Sequence, residues 1–234
     1  MDDLGASSAR RMLVYFLIDT SSSMHGTPIQ AVREGVEFLN RELRRTPEAI
    51  ELVHICIITF DSQAQIIQPL VPLVQFKPDV SRIIARGSTN MTHALQMVND
   101  EIDRTFRMNT GEIKGDFKPA IFLLTDGAPN DRNSAIRAGE QIKNRPSGKT
   151  VGTFLGLGCG PHVDVEFLRA IAKNVALMQD MSGENIQEFF KWVTASLSTA
   201  SKQASRSAAG QEVRPSPEPI PQNSQGNQAF TFDF

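Results

Sequence analysis

Met12-Leu13-Val14-Tyr15-Phe16-Leu17-Ile18-Asp19-Thr20-Ser21-Ser22-Ser23 runs from apolar side chains straight into oxygen-bearing ones. Val14 to Ile18 is continuously apolar instead of alternating, the signature of a strand buried on both faces. Asp19, Ser21 and Ser23 then place three hard oxygen donors where that strand ends and a loop begins. A metal site follows from this geometry if partners arrive from other strand ends.

Two such partners are visible. Gly87-Ser88-Thr89-Asn90 precedes a helical pattern, and Thr125-Asp126-Gly127 follows the apolar run Ala120-Ile121-Phe122-Leu123-Leu124. Together Asp19, Ser21, Ser23, Thr89 and Asp126 form an all-oxygen set, which suits Mg2+, or alternatively Mn2+ or Ca2+, far better than zinc. Two carboxylates are its whole anionic supply, so the ion keeps waters or recruits an outside carboxylate. The expected function is a metal bridge to an acidic side chain of a partner protein. Taken singly, each residue has a plainer use: Asp and Ser cap helices, and Asp before Gly makes turns. Helix onset at Pro28 is too distant for capping alone to explain Asp19 to Ser23, whereas the residues themselves leave Ser88 and Thr89 as competing donors.

Outward from these motifs, Ile29, Val32, Val36, Leu39 and Leu43 recur at helical spacing after Pro28, with Pro47 as the far limit. Glu51 to Thr59 reads as a second strand and Ala64 to Leu70 as a third, joined by Asp61-Ser62-Gln63 as an antiparallel edge hairpin. Val71 to Arg86, with Pro72 and Pro78, reads as a loop with one helical turn. A helix is expected from Met91 to Arg107, a strand over Ala120 to Thr125, a helix over Ser134 to Lys143 and a strand over Thr150 to Leu157. A short helix around Val165 to Ala172, a small strand Val175 to Met178 and a last helix Glu184 to Ala200 complete the pattern. This alternation predicts an α/β fold: a central, mostly parallel sheet with one antiparallel edge strand and helices on both faces.

The domain is expected over residues 10–201, after a flexible 1–9. From Lys202 onward Ser, Gln, Pro, Asn and Gly dominate, a composition that cannot build a core and predicts a disordered tail over 202–234. It ends on Phe230-Thr231-Phe232-Asp233-Phe234, either an arbitrary terminus or a short peptide that docks on its own domain or on another protein. The formal net charge of -2 gives no basic surface for nucleic acid or membrane. No apolar run has the length of a membrane helix and no secretory signal is apparent, so a cytoplasmic location is expected. Cys56 and Cys159 are read as free thiols, Cys159 in a glycine-rich loop on the rim of the metal site. That loop, Gly156 to Pro161, lacks the ending of a phosphate cradle, and His25, His54, His93 and His162 have no metal-ligand spacing.

The motifs placed on strand ends resemble those of the von Willebrand factor type A family, whose metal-ion-dependent adhesion site is written Asp-x-Ser-x-Ser, then a distant Thr, then a distant Asp. Asp19-x-Ser21-x-Ser23, Thr89 and Asp126 match in order and context. Within that family the chain is similar to bacterial tellurium-resistance proteins of the TerY type, through Val14 to Ser21, Ile57-Ile58-Thr59-Phe60-Asp61, Phe122 to Gly127 and Phe189-Phe190-Lys191-Trp192-Val193. Ser22 stands where typical members have Gly. The resemblance implies a Rossmann-like domain whose ion takes Ser21, Ser23 and Thr89 as hydroxyl ligands, with Asp19 and Asp126 bound directly or through water. It also implies a non-enzymatic interaction module in a bacterial tellurite, stress-response or defence system, with phosphatase-like or kinase-like partner proteins. The loops holding His25, Asn90, Pro129 and Asn130 would form the partner-binding rim. The rival reading is a metal-dependent phosphoester hydrolase, for which the sequence offers no evident general base beside Asp19 and Asp126.

Overall fold

The computed structural model describes residues 10–110, 114–127, 129–160, 163–206 and 228–233. The strands are β1 (Met12–Asp19), β2 (Val53–Phe60), β3 (Ala64–Pro72), β4 (Ala120–Thr125), β5 (Thr153–Cys159), β6 (Asn174–Met178) and β7 (Thr231–Asp233). The helices are α1 (Thr27–Leu43), α2 (Pro47–Leu52), α3 (Met91–Thr105), α4 (Arg132–Lys143), α5 (Val165–Ile171) and α6 (Gly183–Arg206). Among the described residues the strands form one sheet in the order β3-β2-β1-β4-β5-β6-β7. The inner pairs are parallel, whereas β3 and β7 run antiparallel to β2 and β6.

Every residue of β1 is buried because both faces of the sheet are covered. Val14, Phe16 and Ile18 point into a core shared with α1, α2 and α6, while Leu13, Tyr15 and Leu17 point into one shared with α3, α4 and α5. The continuous apolar run thus fills two cores at once. The expected α/β architecture is present, and β7 adds a second antiparallel margin.

Several boundaries differ from the sequence expectations. Glu51 and Leu52 close α2 instead of opening β2, because Pro47 starts a helical turn that buries Ala49 and Leu52. The stretch from Val71 to Arg86 contains two short 3-10 turns, Leu73–Gln75 and Val80–Arg82. Strand β5 runs past the expected end at Leu157 to Cys159, so Gly158 and Cys159 belong to a strand and not a loop. A Cβ at Gly158 would lie 2.4 Å from Val163 Cγ1 and 2.8 Å from Leu168 Cδ1, so glycine is what lets the segment entering α5 approach the sheet.

The C-terminal side changes most. Helix α6 runs past the expected domain end at residue 201 to Arg206, with Ser201 and Ala204 still buried. The chain described again from Gln228 lays Thr231–Asp233 along β6, with Ala229 and Phe230 each 1% exposed. Both ends of the expected disordered tail are therefore part of the fold, since composition averaged over 202–234 hides small apolar and aromatic residues at its margins. The expected flexible 1–9, the middle of the tail at 207–227, Phe234 and His162 lie outside the described residues. No helix among the described residues is long and apolar enough to cross a membrane.

Candidate metal centre

Asp19 ends β1 fully buried, and both of its carboxylate oxygens are engaged. The Ser21 N–H donates to Oδ1 at 2.8 Å, and the Thr125 hydroxyl donates to Oδ2 at 2.6 Å. Thr125 closes β4, the strand beside β1, and shares the face of Asp19 through the alternation that also sends Leu17 and Leu123 into one core. The strand order reverses between β1 and β4, and such a crevice is where open α/β sheets place their ligands.

The other expected donors gather at this crevice. Ser21 and Ser23 have hydroxyl oxygens 3.1 Å apart, and the Ser23 hydroxyl donates to Asp126 Oδ1 at 2.9 Å. A hydrogen-bonded train from Ser21 through Ser23 to Asp126 thus joins the loop after β1 to the loop after β4. The segment carrying Thr89 is tied in by backbone bonds: Arg86 N–H to Thr20 O at 2.8 Å, Ser22 N–H to Gly87 O at 3.1 Å, and Asn130 N–H to Thr89 O at 3.0 Å. Thr89 is buried, and a Cβ built on Gly127 would sit 4.0 Å from its hydroxyl oxygen. Ser88, by contrast, is exposed and bonded to Ser62 and Asn130. Of the two competing hydroxyls, that of Thr89 faces the loop of Asp126.

Electrostatics set these acids apart from surface carboxylates. Burial pushes the Asp19 carboxyl up to about 6, opposed by the hydrogen bonds from Thr125 and Ser21 and reinforced by the charge of Asp126. Asp126 is also raised by burial, opposed by its bond from Ser23. Among the described residues, no cationic side chain figures in the influences on either carboxylate. Two buried acids flanked by hydroxyls and lacking a counter-charge are the donor chemistry a hard divalent cation fits. Among the described residues no group of three or more His, Cys, Asp or Glu could hold a metal, so an ion bound here must lean on the hydroxyls.

The expected rim residues are not equivalent. His25 is exposed at the end of the 3-10 turn Ser22–Met24. Asn90 caps α3 by accepting the His93 N–H and also donates to Ser62 O at 3.3 Å, so its side chain is committed to structure. Pro129 is half-buried, and exposed Asn130 braces Ser88. Ser22 sits in the 3-10 turn, and among the described residues no non-glycine has a positive φ, so the turn does not require the glycine usual there.

Thr125 is the site residue that sequence reading missed; its parity with Leu123 and its place directly before Asp126 were the available signals. Cys159 is corrected from a rim position to a buried one beneath the site. Its thiol is pushed far up by burial and then by the charges of Asp126 and Asp19.

The family model for the von Willebrand factor type A domain matches residues 14–192. A von Willebrand factor A domain-containing protein of Dictyostelium discoideum is 29% identical over 165 residues, which are 68% of this chain but only 16% of that protein. Among solved structures, the von Willebrand factor type A protein from Catenulispora acidiphila superposes with a TM-score of 0.62 at 21% identity, covering 81% of this chain and 43% of that one. The pilus adhesin SpaC of Lactobacillus rhamnosus GG gives 0.64 at 13% identity, covering 81% and 30%. Proximal thread matrix protein 1 of the mussel byssus, with a zinc-occupied MIDAS motif, gives 0.52 at 17% identity, covering 80% and 48%.

Proposed function

Because the chain belongs to the von Willebrand factor type A domain family, we propose that it is a non-enzymatic module that binds a partner protein through a divalent cation. Asp19, Ser21, Ser23, Thr89 and Asp126 hold the ion, and an Asp or Glu of the partner completes its coordination. The observation that carries this reading is the hydrogen-bonded train Ser21–Ser23–Asp126 beside buried Asp19, a pair of acids without basic counter-charge among the described residues. Few protein charges leave the ion electrophilic, so an incoming carboxylate is a favourable ligand once water is kept out. The exposed side chains of His25 and Asn130 stand where they can select the partner.

The ion is proposed to be Mg2+, with Mn2+ and Ca2+ as alternatives; the zinc in the mussel protein's motif makes zinc a further ion to titrate. The similarity in wording to TerY-type proteins supports a cytoplasmic role in a bacterial tellurite, stress-response or defence system, with a phosphatase-like or kinase-like protein as partner.

Calorimetric titration of the full chain with each ion, alongside Asp19→Ala and Asp126→Ala, tests the ion site. Saturable binding lost in both variants is expected; equal binding in all three chains overturns the assignment. Proteins retained by the immobilised chain in Mg2+, released by chelator and absent with Asp126→Ala, are the expected partners. Partners indifferent to chelator overturn the bridge while leaving the ion site standing.

A further inference from the structure

Thr89 comes to the metal centre on a segment with no helix or strand of its own. Residues 83–90 link the 3-10 turn Val80–Arg82 to α3, so what fixes their course is where their hydrogen bonds go. Among the described residues they are held from three sides. Arg86 N–H and Gly87 O bond to Thr20 O and Ser22 N–H on the loop after β1, and Thr89 O accepts the Asn130 N–H from the loop after β4. The third side is the turn 61–63 between β2 and β3. There the Asn90 N–H donates to Asp61 O at 2.6 Å, the Ser88 N–H to Ser62 Oγ at 3.1 Å, and the Arg86 Nε–H to Asp61 Oδ2 at 2.9 Å. Gly87, with a φ of +67°, lies so close to the turn that an added Cβ would stand 2.5 Å from Ser62 Oγ. Just beyond, the Ala64 N–H donates at 3.1 Å to Nδ1 of His93 in the first turn of α3.

These three sides differ in what fixes them. The loops after β1 and β4 carry proposed ion donors and meet through the hydroxyls of Ser21 and Ser23. The turn carries none of the five proposed donors and is fixed by its hairpin, whose strands pair from Phe60 and Ala64 onward. Asp61 closes that turn and grips the segment with one side chain: it is buried, Oδ1 accepts the Gln63 N–H at 3.1 Å, and Oδ2 takes Arg86. An exposed arginine paired with a mobile carboxylate gains little. Here the carboxylate is already held by its own turn, so less order is lost in making the pair.

We propose that Asp61 is a positioning residue of the metal centre: it anchors residues 86–90 to the β2–β3 turn and so sets Thr89 in place before an ion arrives. This role rests on the ion site proposed above, and Asp61 acts in it through Thr89 without being a ligand.

Hydrogen exchange of the full chain in chelator reads the anchoring with no ion present. Asp61→Ala is expected to speed exchange at least about tenfold at the Ser22 and Asn130 amides, which bond to Gly87 O and Thr89 O, and to leave the amides of β4 and β5 unchanged. Arg86→Ala, at an exposed position, gives a smaller change of the same sign and serves if Asp61→Ala loses its fold. Faster exchange confined to Gln63 and Asn90 makes Asp61 a local turn residue and overturns the proposal. Calorimetric titration with Mg2+ and Mn2+ reads the consequence: ion binding about tenfold weaker in Asp61→Ala, with no further weakening when Asp61→Ala is added to Thr89→Ala. Unchanged affinity overturns the proposal. So does a loss that adds in full to that of Thr89→Ala, because a general loosening does not act through the Thr89 hydroxyl. Failure of the ion site itself shows separately, as an unaltered chain that binds neither ion, and that result overturns both readings.

Discussion

Asp19 is held where its charge is least welcome, fully buried at the end of β1 and close to a second acid. Its carboxyl moves from an ordinary 3.8 to about 6, so keeping it ionised at neutral pH without an ion costs about 3 kcal/mol. The folded chain binds this proton more tightly than the unfolded chain does. In chelator, Asp19 is therefore expected to add stability as pH falls from about 7 through 6 toward 4, against the usual acid trend. Urea unfolding of the chain minus that of Asp19→Asn isolates the effect, and saturating ion should cancel it, because cation and proton compete for the same oxygens. Thr125 tests positioning at the same scale. Thr125→Val removes the 2.6 Å bond to Asp19 Oδ2, and a loss of about 10- to 100-fold in ion affinity is expected, with Thr125→Ser retaining most of it. Calorimetry of the folded variants distinguishes this from a stability defect.

At the scale of elements, helix α1 and helix α6 pack through Gly35, where an added Cβ would fall 2.2 Å from Phe190 Cδ2. That ring is itself fixed between Phe16 and Phe189, so it has little room to retreat. Gly35→Ala is expected to cost about 1–3 kcal/mol in chemical denaturation despite its better helix propensity. The buried strands and long helices were legible in the sequence because period and apolar content agree: Ile186, Phe189, Phe190, Val193 and Leu197 are all among the residues α6 buries. Their limits were not, because a stretch such as Leu52 to Ile58, apolar but for His54, carries too little phase to say where α2 stops and β2 starts. Gly158 read as a loop residue until the approach of Val163 and Leu168 accounts for it. The site motifs were legible as a set since three loops had to agree. Thr125 escaped because a threonine ending a strand looks like ordinary β-propensity, and its role exists only across the gap between β1 and β4.

For the molecule as a whole, an ion that joined the loops after β1 and β4 and the segment before α3, as proposed, would bind the folded state alone. At about 100 times its dissociation constant it should add about 2.7 kcal/mol, seen as a rise of about 5–10 °C in the melting midpoint. The gain should vanish in Asp126→Ala, and a thermal scan in Mg2+ against chelator measures it. The two margins of the sheet have a consequence of their own. One is β3, which carries Pro69 and Pro72; the other would be bare β6 were Thr231–Asp233 not laid along it. Prolines and a short covering strand both deny neighbouring molecules a row of open amides, so Thr231–Asp233 should guard the sheet against fibrous self-association, and a preparation clipped before them should cloud first on storage.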